Sequence, residues 1–598
     1  MAPEAASLGR HPLRAEAPRP LPSTERQRIV GRSPFTPETV VLRTRHFVPL
    51  VALALLTIVC SVSWAQAVRP TAAPRPDPRL NPRLDPRLNQ RLDPRLEKLK
   101  QEALLKVGER AKLVQEIVDQ VFSFGELGMQ EVETSRYLTG ILEQNGFTVE
   151  RGTAGMPTAW IARWGSGKPV ISLGSDIDGI PQANQKPAFG YRDPMLAGAP
   201  GHGEGHNSGQ AVNIAAALVV KEIMAREKIP GTLVLWPGVA EEQLAGKAHL
   251  VRAGVFKDVD VTLFAHVGSN LSVAWGRSGY QSMVSALFKF KGQSAHSAGA
   301  PWRGKSALDA VMLMAQGWEY KREHLEPQQR SHYIIRDGGD QPNVVPQTAS
   351  IWYFIRERDY DRVMRNFEAA KRVAQGAAMM TDTKLDTVEV IGSAWDVHFN
   401  KAVAYAAYAN IKRVGLPKWD DNDMLLAKSL QREMGAPDSG LVTKIGDIGA
   451  PPPDAVVHGG SDDIGDVSWN VPTITLSYPS NIPGTPGHNW ADAIAMATPI
   501  AHKGAVAGAK VQALTLLDLL LTPKLVADAW DYFTNTQTKT MKYKSYLAPT
   551  DGPPTWLNAE IMARWRPQMK QFYYDPSKYK TYLEQLGYKY PTVKPIAQ

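Results

Sequence analysis

Glycine alternates with chemistry-bearing residues in Gly201-His202-Gly203-Glu204-Gly205-His206-Asn207. Small residues let such a stretch turn tightly, so Glu204 and His206 can converge on one point, with His202 a lesser candidate. An apolar run, Thr232-Leu233-Val234-Leu235-Trp236, leads through Pro237-Gly238-Val239-Ala240 into Glu241-Glu242. Two adjacent carboxylates at the end of a buried strand are costly unless something positive waits there. The run Val259 to Ala265 ends in His266, and a glycine-proline loop, Gly484-Thr485-Pro486-Gly487, ends in His488. Each has a bland reading alone: a solvated acidic turn, or a satisfied histidine at the rim of a core. Together Glu204, His206, Glu242, His266 and His488 supply two carboxylates and three imidazoles, a set that could hold two divalent ions sharing one carboxylate. Neighbouring side chains in extended backbone point apart, so Glu241 is free to face water as a general base and later to protonate a leaving amine.

The elements around these residues alternate. Apolar spacing predicts helices from Leu96 to about Val121, softened near Gly108, and from Thr134 to Asn145. Strand-like runs follow at 147–150, 158–162 and 170–174. The last opens into Ser175-Asp176-Ile177-Asp178-Gly179, two aspartates at a strand's C-terminal end, where open α/β sheets carry their sites. A turn-capping pair is the equal alternative. A helix begins near Ser208, and another runs from Leu244 to Gly254. Between residues 280 and 397 the order becomes β-α-β-β-α-β, which predicts an inserted α+β domain with its helices on one face of an antiparallel sheet. Residues 398–450 read as helix-rich; Trp419-Asp420-Asp421-Asn422-Asp423 reads as a helix start rather than a metal site. The sheet domain resumes with a strand from Pro472 and a helix from Pro499 to Leu521. The fold class expected is a two-domain α/β protein: catalytic parts at 97–279 and 398–530, an inserted lid or dimerisation domain at 280–397, and an aromatic C-terminal extension at 531–598. That tail could cover a groove, line a pocket or pack against another subunit.

With 598 residues, 43% of them hydrophobic, there is material for more than one core. The net charge of +9 is unevenly placed: residues 1–96 hold 15 arginines and 7 acidic residues, leaving the remainder close to neutral. A nucleic-acid partner is therefore not implied. Within residues 1–67, the apolar run from Val48 to Cys60 follows Arg43, Arg45 and His46 and precedes Ala65-Gln66-Ala67, the pattern of a secretory signal cleaved after Ala67. It implies a periplasmic or secreted protein with no membrane contact after cleavage; an uncleaved anchor is the alternative. The single cysteine, Cys60, lies inside that run, so disulfides and thiolate ligands are excluded from the mature chain, and a lipid anchor there is disfavoured by the bulky Val59. Residues 68–96 read as a linker of four-residue Pro-Arg-Leu repeats, too proline-rich for a regular helix.

Six stretches in this order, Ser175 to Pro181, Gly201 to Asn207, Ala240-Glu241-Glu242, Ala295-His296-Ser297 with Pro301, Gly460 to Trp469, and Gly484 to His488, closely resemble the M20 metallopeptidase and amidohydrolase family. The likeness is to the branch of aminobenzoyl-glutamate hydrolases and aminoacylase-like enzymes, over roughly residues 105–525. The resemblance implies Glu204 as bridging ligand, His206 and His266 on one ion, and Glu242 and His488 on the other. It implies Glu241 as general base and Asp178 as a carboxylate supporting the site from behind. It places His296 where family dimers reach across to the partner's substrate, and makes Asn343 and Arg356 candidate substrate contacts. A homodimer or higher homo-oligomer is implied in the same way.

One departure stands out: this branch usually has cysteine where Glu204 stands. Glutamate is a hard oxygen ligand, compatible with zinc, manganese or cobalt, with zinc or manganese foremost. The function expected is hydrolysis of an amide joining an acyl or aminobenzoyl group to an amino acid. A dipeptidase or carboxypeptidase of the same family is the alternative, and a non-catalytic binding protein the more distant one.

Overall fold

The computed structural model describes residues 93–453, 457 and 459–595. The leader, the candidate signal segment with Cys60 and nearly all of the Pro-Arg-Leu repeats lie outside them. Ordered structure starts inside the last repeat: helix α1 (Pro94–Glu109) begins at a proline, capped by the Asp93 carboxylate on the Arg95 amide. Proline costs nothing at a first helical position, because no intrahelical partner exists there for its missing N–H. The linker expected to run to residue 96 therefore gives way to helix at residue 94.

The first part of the chain continues with α2 (Ala111–Phe124), α3 (Val132–Gln144), β1 (Thr148–Arg151), β2 (Trp160–Ser166), β3 (Val170–Asp176), α4 (Gly209–Glu227), β4 (Gly231–Gly238), α5 (Lys247–Ala253), β5 (Val261–Gly268), β6 (Ser272–Val273) and β7 (Gly276–Arg277). Next come β8 (Ser282–Lys291), α6 (Ala307–Arg322), β9 (Arg330–Asp337), β10 (Thr348–Glu357), α7 (Tyr360–Met380) and β11 (Lys384–Ala394). The chain then returns through β12 (His398–Phe399), α8 (Lys401–Val414), α9 (Asp421–Glu433), α10 (Ile464–Ser468), β13 (Thr473–Pro479), α11 (Trp490–Ala493) and α12 (Pro499–Leu521). It ends with α13 (Pro523–Tyr532), α14 (Ala559–Met569) and α15 (Tyr582–Leu586).

A seven-stranded sheet in the order β1-β2-β4-β3-β5-β13-β6 forms the centre of the larger core. Its four middle strands, β4, β3, β5 and β13, run parallel, so their C-terminal ends share one edge. Buried on both faces, β3 and β4 are continuous apolar runs rather than alternating ones. Helix α12 packs in this core against α1, α4 and α8. Among the described residues it is the one helix long and apolar enough to cross a membrane, and its burial accounts for that composition.

The second sheet, ordered β11-β8-β10-β9, is antiparallel throughout, with α6 and α7 packed against it. Its own core is built from Phe288, Phe290, Met314, Trp318, Ile351 and Tyr353. The edge strand β9 leaves Ile334 and Ile335 55% and 43% exposed. The acidic run at 420–423 is a helix start: Asp420 and Asp423 form a capping box at the head of α9.

Candidate metal centre

The parallel strands bring the predicted residues to one edge. In register, Asp176 at the end of β3 lies opposite Gly238 at the end of β4, and His266 on β5 lies opposite Ser477 on β13. Asp178, Glu241-Glu242 and His488 follow the ends of β3, β4 and β13, while Glu204 and His206 lie in the loop that leads into α4. Glycine is required in that loop. Gly205 sits at φ +119°, and a Cβ there would lie 2.5 Å from Met496 Sδ; one at Gly203 would lie 2.6 Å from Ile180 and 2.8 Å from a backbone oxygen of Asn489. His488 itself adopts φ 46°, a left-handed conformation uncommon for a residue other than glycine.

The five predicted ligands converge. Glu204 Oε2 is 3.3 Å from His206 Nε2 and 3.1 Å from His488 Nε2, and Oε1 is 3.7 Å from His266 Nε2. Glu242 reaches back with Oε2 3.7 Å from His488 Nδ1 and Oε1 3.9 Å from His206 Nδ1. Glu204 thus lies between three imidazoles, as a bridging carboxylate must. His266 Nδ1 donates to the Val267 carbonyl at 2.9 Å, which fixes its tautomer and leaves the Nε2 lone pair for a ligand. Asp178 stands behind, with Oδ1 3.4 Å from His206 Nδ1 and Oδ2 accepting the Glu242 amide at 3.1 Å.

Glu242 Oε1, His206 Nδ1 and Asp178 Oδ1 are buried without a hydrogen bond. Buried polar atoms normally have partners, so three at one point mark a place that takes a cation. The electrostatics agree. Burial works to raise the Glu204 carboxyl, but His206, His488 and His266 overcome it and hold the group well below the usual carboxylate range. Its carboxylate in turn lifts His488 to about 9, and lifts His206 well above the usual imidazole range against the pull of burial. Without a cation the cluster compensates its charge with protons on histidine, and divalent ions would release them. An all-oxygen-and-nitrogen donor set of this kind fits zinc or manganese.

Glu241 and Glu242 do not lie in extended backbone as the sequence suggests. Residues Glu241–Gln243 form a single 3₁₀ turn, entered through Ala240 at φ 51° and left through Leu244 at φ 52°. The two carboxylates still part company: Glu242 turns to the histidines, while Glu241 is buried within 4.8 Å of the carboxylates of Asp462 and Asp463. Burial, reinforced by Asp176 and Asp462, pushes the Glu241 carboxyl well above its ordinary value, and Lys247 opposes them.

Lys247 was not legible as a site residue. It is fully buried, with Nζ 2.6 Å from Asp176 Oδ1, paired with Asp463 Oδ1 and 3.8 Å from Asp462 Oδ1. Its amide donates to Asp463 Oδ2 at 3.1 Å. The only sequence signal was a lysine set among small and apolar residues at the start of a short helix. The expected helix from Leu244 begins at Lys247, because the 3₁₀ turn occupies the residues before it.

His202, the lesser candidate, is not a ligand here: it is buried and donates from Nε2 to the Val121 carbonyl at 3.1 Å. On the second sheet, Arg356 of β10 reaches the larger core, donating from Nε to Ser461 Oγ at 3.0 Å and from Nη1 to His332 at 2.7 Å. His296 and Asn343 are exposed neighbours, joined by the Ser297 amide on the Asn343 carbonyl at 3.0 Å. Among the described residues no hydrogen bond or ion pair joins either to the cluster.

Comparison with known proteins identifies residues 276–377 as an M20 peptidase dimerisation domain. Over 438 residues the chain is 33% identical to one of the two polypeptides of p-aminobenzoyl-glutamate hydrolase from Escherichia coli (strain K12), covering 69% of this chain and 90% of that protein. It is 27% identical to a Mus musculus Xaa-Arg dipeptidase, covering 72% of this chain and 90% of the relative. Among solved structures, a dinuclear metal-binding M20 peptidase of Bacillus subtilis aligns with 69% of this chain and 99% of its own, at 17% identity and a TM-score of 0.42.

Proposed function

Because this chain belongs to the M20 family of metal-dependent peptidases and amidohydrolases, we propose that it cleaves the amide between an acyl or aminobenzoyl group and an amino acid. The observation that carries this reading is Glu204 among His206, His266 and His488, with Glu242 closing the set. Glu204 would be shared by two divalent ions, His206 and His266 serving one, Glu242 and His488 the other, with zinc or manganese favoured by the donors. When bound, such a pair supplies Lewis acidity that polarises an amide carbonyl and eases deprotonation of water.

The chain's own groups do the rest. Glu241 takes a proton from the attacking water as the new C–O bond forms at the carbonyl carbon. It passes that proton to the leaving nitrogen as the C–N bond breaks. Its raised proton affinity suits both halves of that exchange. Asp178 accepts the Glu242 amide and so steadies the 3₁₀ turn that carries both glutamates. Arg356 is the anchor for a substrate carboxylate, with Asn343 a further substrate contact.

The match of residues 276–377 to a dimerisation domain and the exposed edge strand β9 support a homodimer in which His296 serves the partner's substrate. Export of the mature chain, with cleavage after Ala67, rests on the apolar run at 48–60 and its flanks. Likeness to an Xaa-Arg dipeptidase favours a dipeptidase as the second reading. Metal-loaded protein incubated with N-acyl amino acids, aminobenzoyl-glutamate and dipeptides, with both products detected by mass, separates the two. Protein that holds two ions per chain yet leaves the whole panel intact overturns both.

A further inference from the structure

The turn that presents Glu241 and Glu242 is held from behind. Ala240 occupies a left-handed conformation, and its amide donates to Glu131 Oε1 at 2.8 Å. Glu131 is fully buried and also accepts the Thr158 hydroxyl at 2.8 Å. It closes the tight segment 125–131, which follows α2 and presses directly on the catalytic turn. A Cβ on Gly128 would lie 2.4 Å from Gln243 Oε1 and 2.7 Å from Ala240 Cα. The same segment holds the end of β3, since the Gly179 amide donates to the Glu126 carbonyl at 2.7 Å. One short stretch thus sets the backbone on both sides of the cluster.

The far side of that stretch is gripped by the C-terminal extension. Asn558, just before α14, donates to the Gly128 carbonyl at 2.9 Å and lies 3.4 Å from Gln243 Oε1. Arg566 on α14 pairs with the buried Glu126 carboxylate at 3.1 Å and donates to the Gln130 carbonyl at 2.6 Å. Gln130 returns a bond to the Leu557 carbonyl at 2.9 Å. Glu126 is otherwise used up on the Glu133 and Thr134 amides, so Arg566 is the charge that balances it. These contacts are directional and made to groups with no other role, unlike the loose apolar cover that a tail laid over a surface provides.

We propose that the C-terminal extension is a working part of the active site: Asn558 and Arg566 fix the 125–131 segment, and Glu131 of that segment fixes Ala240 and hence the aim of Glu241 and Glu242. All three are positioning residues. The inference rests on Glu241 as the base, and its consequence is that a displacement transmitted from the tail lowers turnover without loosening substrate. Misplacement of a reacting group by about 1 Å costs up to about a hundredfold.

The test uses the full metal-loaded chain carrying Asn558→Ala with Arg566→Met, and, separately, Glu131→Gln and Glu131→Leu. The double variant is expected to lose about tenfold to a hundredfold in kcat, with KM, metal stoichiometry and unfolding midpoint near those of the parent. Glu131→Gln, which keeps an acceptor for the Ala240 amide, is expected to retain most of kcat, and Glu131→Leu to lose it. Amides of residues 239–245 should exchange with deuterated solvent faster in the double variant. Unchanged kcat and exchange, or a kcat loss matched by lost metal or lost folded protein, overturns the proposal. If the parent itself hydrolyses nothing, the functional reading fails, while hydrogen exchange still decides whether tail and turn are coupled. If Glu131→Leu does not fold, the double variant and Glu131→Gln decide the matter.

Discussion

At the C-terminal edge of the large sheet, Glu204, His206, His266, His488, Glu242 and Asp178 lie within ion-pair reach of one another, most of them buried. On the second sheet, His296 is exposed and its Nδ1 accepts only the amides of Ala298 and Gly299 from its own loop. The first region is a finished piece of chemistry within one chain: unsatisfied atoms point inward and the backbone is strained to aim them. The second is a surface waiting for something outside the chain. The contrast separates groups that act on bonds from groups that act on whatever arrives.

The sharpest way to break that division is at Glu241. Glu241→Gln keeps the shape of the turn but removes the proton acceptor, so kcat should fall by about 10²–10⁴ with metal content retained. Steady-state rates beside metal analysis check it; a variant within a few-fold of the parent would move the base elsewhere. Lys247 comes next. Its ammonium is the buried cation paired with both Asp176 and Asp463, and Lys247→Met leaves those carboxylates uncompensated. The expected loss is about 3–5 kcal/mol of folding stability, read from denaturant unfolding of the metal-free chain. A loss under about 1 kcal/mol would mean that the carboxylates are neutral without it.

Much of the large sheet's edge was readable because apolar runs there stop abruptly at charged residues, and period and length alone place β3, β4, β5 and β13. The capping of α9 by Asp420 and Asp423 was readable for the same local reason. Lys247 was not, because its partners are 71 and 216 residues away and only the fold brings them together. Glu131 was hidden differently: what it holds is a backbone amide, which has no signature in side-chain pattern. The 3₁₀ turn at Glu241 was missed because two left-handed residues, Ala240 and Leu244, are of types that do not ordinarily signal that conformation.

The second region is probed by mixing. If His296 serves the partner's substrate, His296→Ala and Glu241→Gln are each inactive as homodimers. Random exchange of protomers between them then restores about a quarter of the parent's rate, since half of the dimers hold one intact composite site. A mixture that stays inactive after exchange, verified by native mass spectrometry, puts His296 in its own chain's site or outside the reaction.

Arg356 sits between the two regions and has the smallest expected effect. Its side chain leaves the second sheet, bonds Ser461 beside the aspartates facing Glu241, and carries a guanidinium whose proton affinity burial lowers. A cation held there with only neutral hydrogen-bond partners, Ser461 and His332, has charge left to offer a carboxylate. Arg356→Met should therefore raise KM about tenfold for substrates bearing a free carboxylate while leaving kcat nearly unchanged, the sign of binding lost equally in ground and transition states. The corresponding substrate with its carboxylate converted to a primary amide should be hydrolysed alike by parent and variant. If the variant loses kcat on both substrates, Arg356 belongs with the groups that act on bonds, and the boundary between the two regions lies within β10 rather than between the sheets.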